Sequence, residues 1–235
     1  MKTSKPEQKE EEATELEKKE KPNANSERTE NIVAFAVFGL LILIGIFIFT
    51  QGFGLMGNGI DKSERVRVSV GTSPFKGSSN ASVLIIAFSD FECPNCRVGE
   101  ERINSLLAKY PDDLVYVFKN YPLTMTHRYA YNASLAAECA KEQDKFWEYS
   151  ELLFQHQDQL EALYLRDYAK QLGLNETRFN ECFDTQRHKA EVDSEIKEGN
   201  LAGVSGTPTF FINGIRVVGA QPEDVFIKII NSEKK

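Results

Sequence analysis

Cys93-Pro94-Asn95-Cys96 sets two thiols two residues apart, a spacing that can close and reopen a short disulfide. An apolar run, residues 83–88, comes shortly before it, and a helical pattern, residues 97–110, directly after. A cysteine that opens a helix sits where several backbone N–H groups point outward without intrahelical partners. The positive end of the helix dipole there favours thiolate over thiol, and thiolate is the nucleophile of disulfide exchange. Pro94 suits the first helical position, where its missing N–H costs nothing and its fixed φ fits the turn. Cys96 lies one helical turn on. The residue types and their placement point to redox chemistry.

The elements that must hold this pair follow from hydrophobic period. Val66, Val68 and Val70 alternate with polar residues and predict a short half-buried strand, and Ser73-Pro74-Phe75-Lys76-Gly77 reads as a loop. Residues 83–88 predict a buried strand, residues 97–110 a helix and residues 114–118 a second strand. Right-handed crossover makes those two strands parallel. From residue 127 to 203 the pattern is helical almost throughout, with segments at 128–141, 144–156, 161–172 and 187–202. Strands return at 208–212 and 215–218 around Asn213-Gly214, a two-residue hairpin signal. A last amphipathic helix follows Pro222, with Val225, Phe226, Ile229 and Ile230 as its apolar stripe. The predicted order is β, β-α-β, a helical insertion over about 122–203, then β-β-α.

The chain has 235 residues, 41% of them hydrophobic, and a formal charge of −7. That length suits one moderate domain with appendages. The acidic balance argues against nucleic acid as a partner, because phosphate binding draws on clustered Lys and Arg. Residues 1–30 carry seven Lys/Arg and nine Glu and predict a disordered charged tail. Residues 31–60 contain no charge, and residues 32–50 are almost purely apolar. At about 1.5 Å per residue that run crosses a hydrocarbon core of roughly 30 Å. It is too long, and lies too far from the start, for a signal-peptide core. We therefore expect a transmembrane anchor over 31–51, a glycine-rich linker over 52–63 and a folded domain over 64–235. Lys18, Lys19, Lys21 and Arg28 precede the anchor, whereas only Lys62 and Arg65 follow it closely. The positive-inside rule then places the N-terminus in the cytoplasm and the folded domain outside, in a single-pass membrane protein.

Cys139 and Cys182 are the other two of the four cysteines. They read either as two buried thiols or as a structural disulfide; the external compartment favours the bond. A zinc site fits poorly, since its ligands usually come in two close pairs, so no metal is expected. His127, His156 and His188 read as solvated or capping residues, and Trp147 with Phe146 and Tyr149 as core packing. Asn80-Ala81-Ser82, Asn132-Ala133-Ser134 and Asn175-Glu176-Thr177 fit glycan acceptor sequons, which is compatible with an external location.

Gly206-Thr207-Pro208-Thr209 brings a proline to the start of a strand, either as an edge residue or as a cis proline at a sharp turn. With this block the sequence, over about 73–232, resembles the DsbA-like branch of the thioredoxin superfamily. The likeness rests on Phe88-Ser89-Asp90-Phe91-Glu92-Cys93-Pro94-Asn95-Cys96, on Ala136-Ala137-Glu138-Cys139-Ala140 with Lys145-Phe146-Trp147-Glu148-Tyr149, and on residues 203–214. It implies an α/β thioredoxin-like fold with a helical insertion. It implies Cys93 as the exposed nucleophile, Cys96 as the buried resolving cysteine, and Pro94 and Asn95 as the dipeptide that tunes them. Thr207 and Pro208 become a cis-proline loop facing the cysteines, where an extended substrate chain can pair through its main chain.

The implied function is a thiol:disulfide oxidoreductase that passes a disulfide from Cys93–Cys96 to unfolded or reduced exported proteins. It needs no cofactor, works as a monomer, and is re-oxidised by a quinone-linked membrane partner or reduced by an electron donor. A reductase or isomerase, and a non-catalytic thioredoxin-like binding module, are the competing readings. Two positions depart from the family pattern. Asn95 stands where strongly oxidising relatives have His, which predicts a milder oxidant. Ala87 stands where relatives carry a buried acid, whose proton-relay role would pass to Asp90, Glu92 or water.

Overall fold

The computed structural model describes residues 65–234. The predicted tail, anchor and linker fall outside the described residues, and among those described no helix is long and apolar enough to cross a membrane. The strands are β1 (Phe75–Gly77), β2 (Val83–Ser89), β3 (Leu114–Asn120), β4 (Thr209–Ile212) and β5 (Ile215–Val218). The helices are α1 (Pro94–Lys109), α2 (Ala130–Lys141), α3 (Phe146–Gln155), α4 (Ala162–Gln171), α5 (Glu176–Asp184), α6 (Lys189–Leu201) and α7 (Glu223–Glu233). One sheet runs in the order β1-β3-β2-β4-β5. β2 and β3 are parallel, as the crossover rule requires, and every other pairing is antiparallel. Five helices stand between β3 and β4, which is the expected insertion.

β2 explains its own apolar run. Val83, Ile85 and Ala87 join the main core beneath α1, the insertion and α7. Ile86 and Phe88 point to the opposite face and pack with Val117, Tyr121, Val204 and Phe211. A strand covered on both faces has no place for polar alternation. Asn213 and Gly214 both take positive φ, 46° and 88°, which the tight turn between β4 and β5 demands.

Two expectations fail. Residues 66–70 are not a strand: Val66 N–H donates to Gly214 O at 3.0 Å, and Val66 and Val68 lie over the second core as an irregular strap. The strand lies in the expected loop instead, where Phe75, Lys76 and Gly77 pair with Val117, Tyr116 and Val115. The alternation of Val66, Val68 and Val70 reported burial against a face, not ladder pairing. α5 was not resolved as a separate helix in the sequence pattern; Asn175 caps it, its side chain accepting from Arg178 N–H at 2.9 Å.

Candidate active site

The turn that follows β2 delivers Cys93 to the N-cap position of α1, with Pro94 opening the helix behind it. Cys93 N–H donates to Asp90 O at 3.1 Å, and Cys93 O accepts from Cys96 N–H at 3.0 Å. Both cysteines are free thiols. Cys93 keeps 5% of its surface exposed and Cys96 only 1%. The expected asymmetry has the right direction, but Cys93 is far more covered than an exposed nucleophile. The cover comes from Thr207, whose carbonyl accepts from Cys93 Sγ at 3.4 Å, and from the insertion.

The Thr207–Pro208 peptide is cis, so of the two readings of that proline the sharp turn is the one realised. Gly99 explains how close this loop comes to α1. A Cβ there would lie 3.0 Å from Phe210 and 3.3 Å from Pro208. A side chain there would press on both rings, so glycine lets the helix settle against them without displacing either.

The two sulfurs are held in opposite states. The Cys93 thiol is lowered to about 6. A hydrogen bond from Cys96 contributes most; burial opposes it, and Thr207 with the N–H groups of Cys96 and Asn95 adds to the lowering. Cys96 is pushed well above the ordinary thiol value, first by burial and then by the charge and hydrogen bond of Cys93. Asp90 N–H donates to Cys96 Sγ at 3.4 Å. The hydroxyls of Thr207 and Ser89 have no hydrogen-bond partner elsewhere, and both favour thiolate at the sulfurs they face. A nucleophile charged near neutrality stands beside a neighbour that keeps its proton.

A family model for thioredoxin matches residues 69–232. The chain belongs to the thioredoxin family. Among solved structures, BdbD from Bacillus subtilis (oxidised) superposes with a TM-score of 0.64 at 25% identity, covering 72% of this chain and 96% of that one. The thiol-disulfide exchange protein alpha-DsbA2 from Wolbachia pipientis gives a TM-score of 0.60 at 23% identity, covering 68% and 87%. Both neighbours share the α/β fold of this chain. Among curated proteins, Na(+)/H(+) antiporter NhaA 3 of Salinispora tropica is 41% identical over 60% of this chain and 22% of its own length. Na(+)/H(+) antiporter NhaA 1 of Mycolicibacterium vanbaalenii is 32% identical over 68% and 26%. The chain spans about a quarter of the length of these relatives.

One residue of this thioredoxin-family site carried no sequence signal, and others take partners that the sequence did not announce. Gln157, just past α3, donates from Nε2 to Phe91 O and to Cys93 O, both at 2.8 Å, and clamps the entry to α1. It is a lone polar residue more than 60 positions from the motif, and only tertiary packing brings it there. Asp90 is fully buried and its carboxylate is fully engaged: it accepts from Glu92 N–H at 2.8 Å and Leu123 N–H at 2.7 Å, and pairs with His127 Nδ1 at 2.7 Å. Glu92 accepts from Tyr129 N–H at 2.7 Å. His127 is therefore half-buried and paired with Asp90 rather than simply solvated or capping a helix.

Both carboxylate oxygens of Asp90 are thus engaged, whereas Glu92 is bonded through one oxygen only. The buried carboxyl on the same helix face as Cys96 is Glu100, one turn further along α1. Burial pushes Glu100 up, Tyr116 donates to it, and the Tyr116 hydroxyl feels the charge of Cys96.

Cys139 and Cys182 form a disulfide between α2 and α5, with Cα atoms 5.8 Å apart. Trp147 packs on Phe146 and Tyr116, in line with a core role. A cavity of about 310 Å³ between α1 and α3 is lined by Lys76, Glu100, Asn104, Trp147 and Glu151 and includes neither redox cysteine. The two redox cysteines lie at a seam between α1 and the Thr207–Pro208 loop.

Proposed function

We propose that the chain is a thiol:disulfide oxidoreductase that donates the Cys93–Cys96 disulfide to exported proteins. The observation that carries the reading is the opposed protonation of two sulfurs at the mouth of α1, beneath the Thr207–Pro208 loop. A client thiolate attacks Cys93 Sγ, the Cys93–Cys96 bond breaks, and Cys96 leaves and takes a proton. A second client thiolate then attacks the client sulfur of the mixed disulfide and expels Cys93 as thiolate. The client dithiol loses two electrons and the enzyme disulfide gains them. A Cys93 midpoint of about 6 makes it a good leaving group in that second step.

That value lies between the roughly 3.5 and about 7 of the most oxidising and the reducing family types. The oxidant is accordingly mild. The Cys139–Cys182 bond and the charge bias around residues 31–60 support a domain held outside the cytoplasm by a membrane anchor. A membrane partner would restore the disulfide. The transport named for the antiporter relatives is not carried over, since the matched stretch is about a quarter of those proteins.

Trapping with Cys96→Ala in the native membrane tests the reading, together with a reduction potential. Exported proteins linked through Cys93, and a potential nearer about −120 mV than −270 mV, are expected. A potential near the lower figure would assign the reductase role instead, and no adduct at Cys93 would leave the binding-module reading.

A further inference from the structure

The oxidoreductase reading leaves a buried acidic residue beside the redox pair. Asp90 is fully buried and bonds both cysteines through its backbone: its carbonyl accepts from Cys93 N–H and its N–H donates to Cys96 Sγ. A carboxylate in that place opposes the thiolate that the chemistry needs, because like charges disfavour each other's ionised forms. Buried charges persist when they are paired and hydrogen-bonded. Here the pairing comes from the loop after β3. His127 Nδ1 meets Asp90 Oδ2 at 2.7 Å, and two anchors tie that loop to the turn before α1: Leu123 N–H on Asp90 and Tyr129 N–H on Glu92.

We propose that His127 is a positioning residue of the redox centre whose imidazolium cancels the buried charge of Asp90 and so keeps Cys93 available as thiolate. The proposal rests on the oxidoreductase reading and adds to it a source of pH dependence outside the cysteines. The groups facing His127 are Asp90 and Glu92 from the turn after β2 and Cys93 from the mouth of α1. Burial works against the charge on His127. The hydrogen bond and charge of Asp90, with charges at Cys93 and Glu92, nevertheless raise it above the ordinary histidine value. Coupling between two sites is reciprocal: a thiolate that favours the imidazolium is favoured by it to the same degree. As pH climbs through the His127 transition the compensation is lost, and Asp90 then opposes the thiolate.

The test uses the full-length chain and follows alkylation of Cys93 by iodoacetamide against pH in the wild type, His127→Gln and Asp90→Asn/His127→Gln. In His127→Gln the Cys93 midpoint should rise, slowing alkylation at pH 6 by roughly fivefold for a one-unit rise. In the double variant, which lacks the carboxylate, the midpoint should return toward the wild-type value. An unchanged midpoint in His127→Gln overturns the proposal. So does a rise that the double variant fails to reverse, since that marks a structural role only. If the single variant does not fold, the His127 ring titration followed by NMR in wild type and Cys93→Ser decides the matter. A lower midpoint without the Cys93 sulfur supports the coupling, and an identical one refutes it. Disulfide transfer by the wild type, with Cys93→Ser as blank, is assayed alongside. No transfer condemns the oxidoreductase reading; transfer with unaltered Cys93 titration condemns only the role of His127.

Discussion

The chain builds two cysteine pairs, and their surroundings give them different work. Cys93 occupies the N-cap of α1, where helix N–H groups and the dipole favour a thiolate. Cys139 and Cys182 lie in the last turns of α2 and α5, at the opposite pole of each dipole, and both are buried to within 1%. One pair is separated by two residues and is held as free thiols; the other spans a sequence separation of 43 and is bonded. Sulfur chemistry is the same in both. Helix polarity and access decide which pair reacts and which one holds helices together.

Substitutions should separate the two roles cleanly. Cys93→Ser should reduce disulfide transfer to the uncatalysed rate while leaving the thermal melting of the domain close to that of the reduced wild type, as transfer assays and melting curves will show. Replacing Cys139 and Cys182 together with Ala should do the reverse. For a loop of 43 residues the chain-entropy model gives a loss of about 4 kcal/mol, measurable by urea denaturation. Transfer per folded molecule should be preserved. If that variant also shifted the Cys93 titration, the two regions would not be independent.

A smaller effect sharpens the contrast within the redox pair. Cys96 is the largest contributor to the lowered Cys93 value, so Cys96→Ala should raise the Cys93 midpoint above about 6, and Cys96→Ser, which keeps a donor, should raise it less. Thiolate absorbance in the ultraviolet reports both. Gln157→Ala leaves Phe91 O and Cys93 O without their donor, costing about 1–3 kcal/mol if water cannot replace it. Faster hydrogen exchange should be confined to the start of α1, away from α2 and α5.

The smallest effect concerns the bonded region alone. A hydrogen bond to Glu191, outweighing the opposing burial, raises His188, and its bond to Glu142 adds to this. Its contribution to stability is complete below the unfolded value near 6.5 and is lost as pH rises through the higher folded value. His188→Gln should flatten that part of the stability profile in pH-dependent melting and leave the Cys93 titration in place.

What could be read from the sequence follows the range of the interactions involved. β2, α1, β3 and the Asn213-Gly214 turn announce themselves locally, through apolar runs, a proline at a helix start and a turn dipeptide. The two thiols carry their chemistry in their spacing. The strap at 66–70 misled because burial against a sheet face and membership of a sheet produce the same alternation. β1 escaped because its three residues lie between a proline and a glycine that signal a loop. Gln157, His127 and Glu100 became part of the site only when the insertion, the loop after β3 and the buried face of α1 were folded around the cysteines. None of them has a local signature that separates it from a surface residue.

The opposed protonation of Cys93 and Cys96 is the claim on which the account stands. Alkylation of the reduced full-length chain across a pH series, with each cysteine followed separately by mass spectrometry, measures it directly. Cys93 should react with a midpoint of about 6, and Cys96 should stay unmodified well beyond the pH at which an ordinary thiol reacts. Equal rates at the two sulfurs, or a Cys93 midpoint near the usual value of about 8.5, would contradict it.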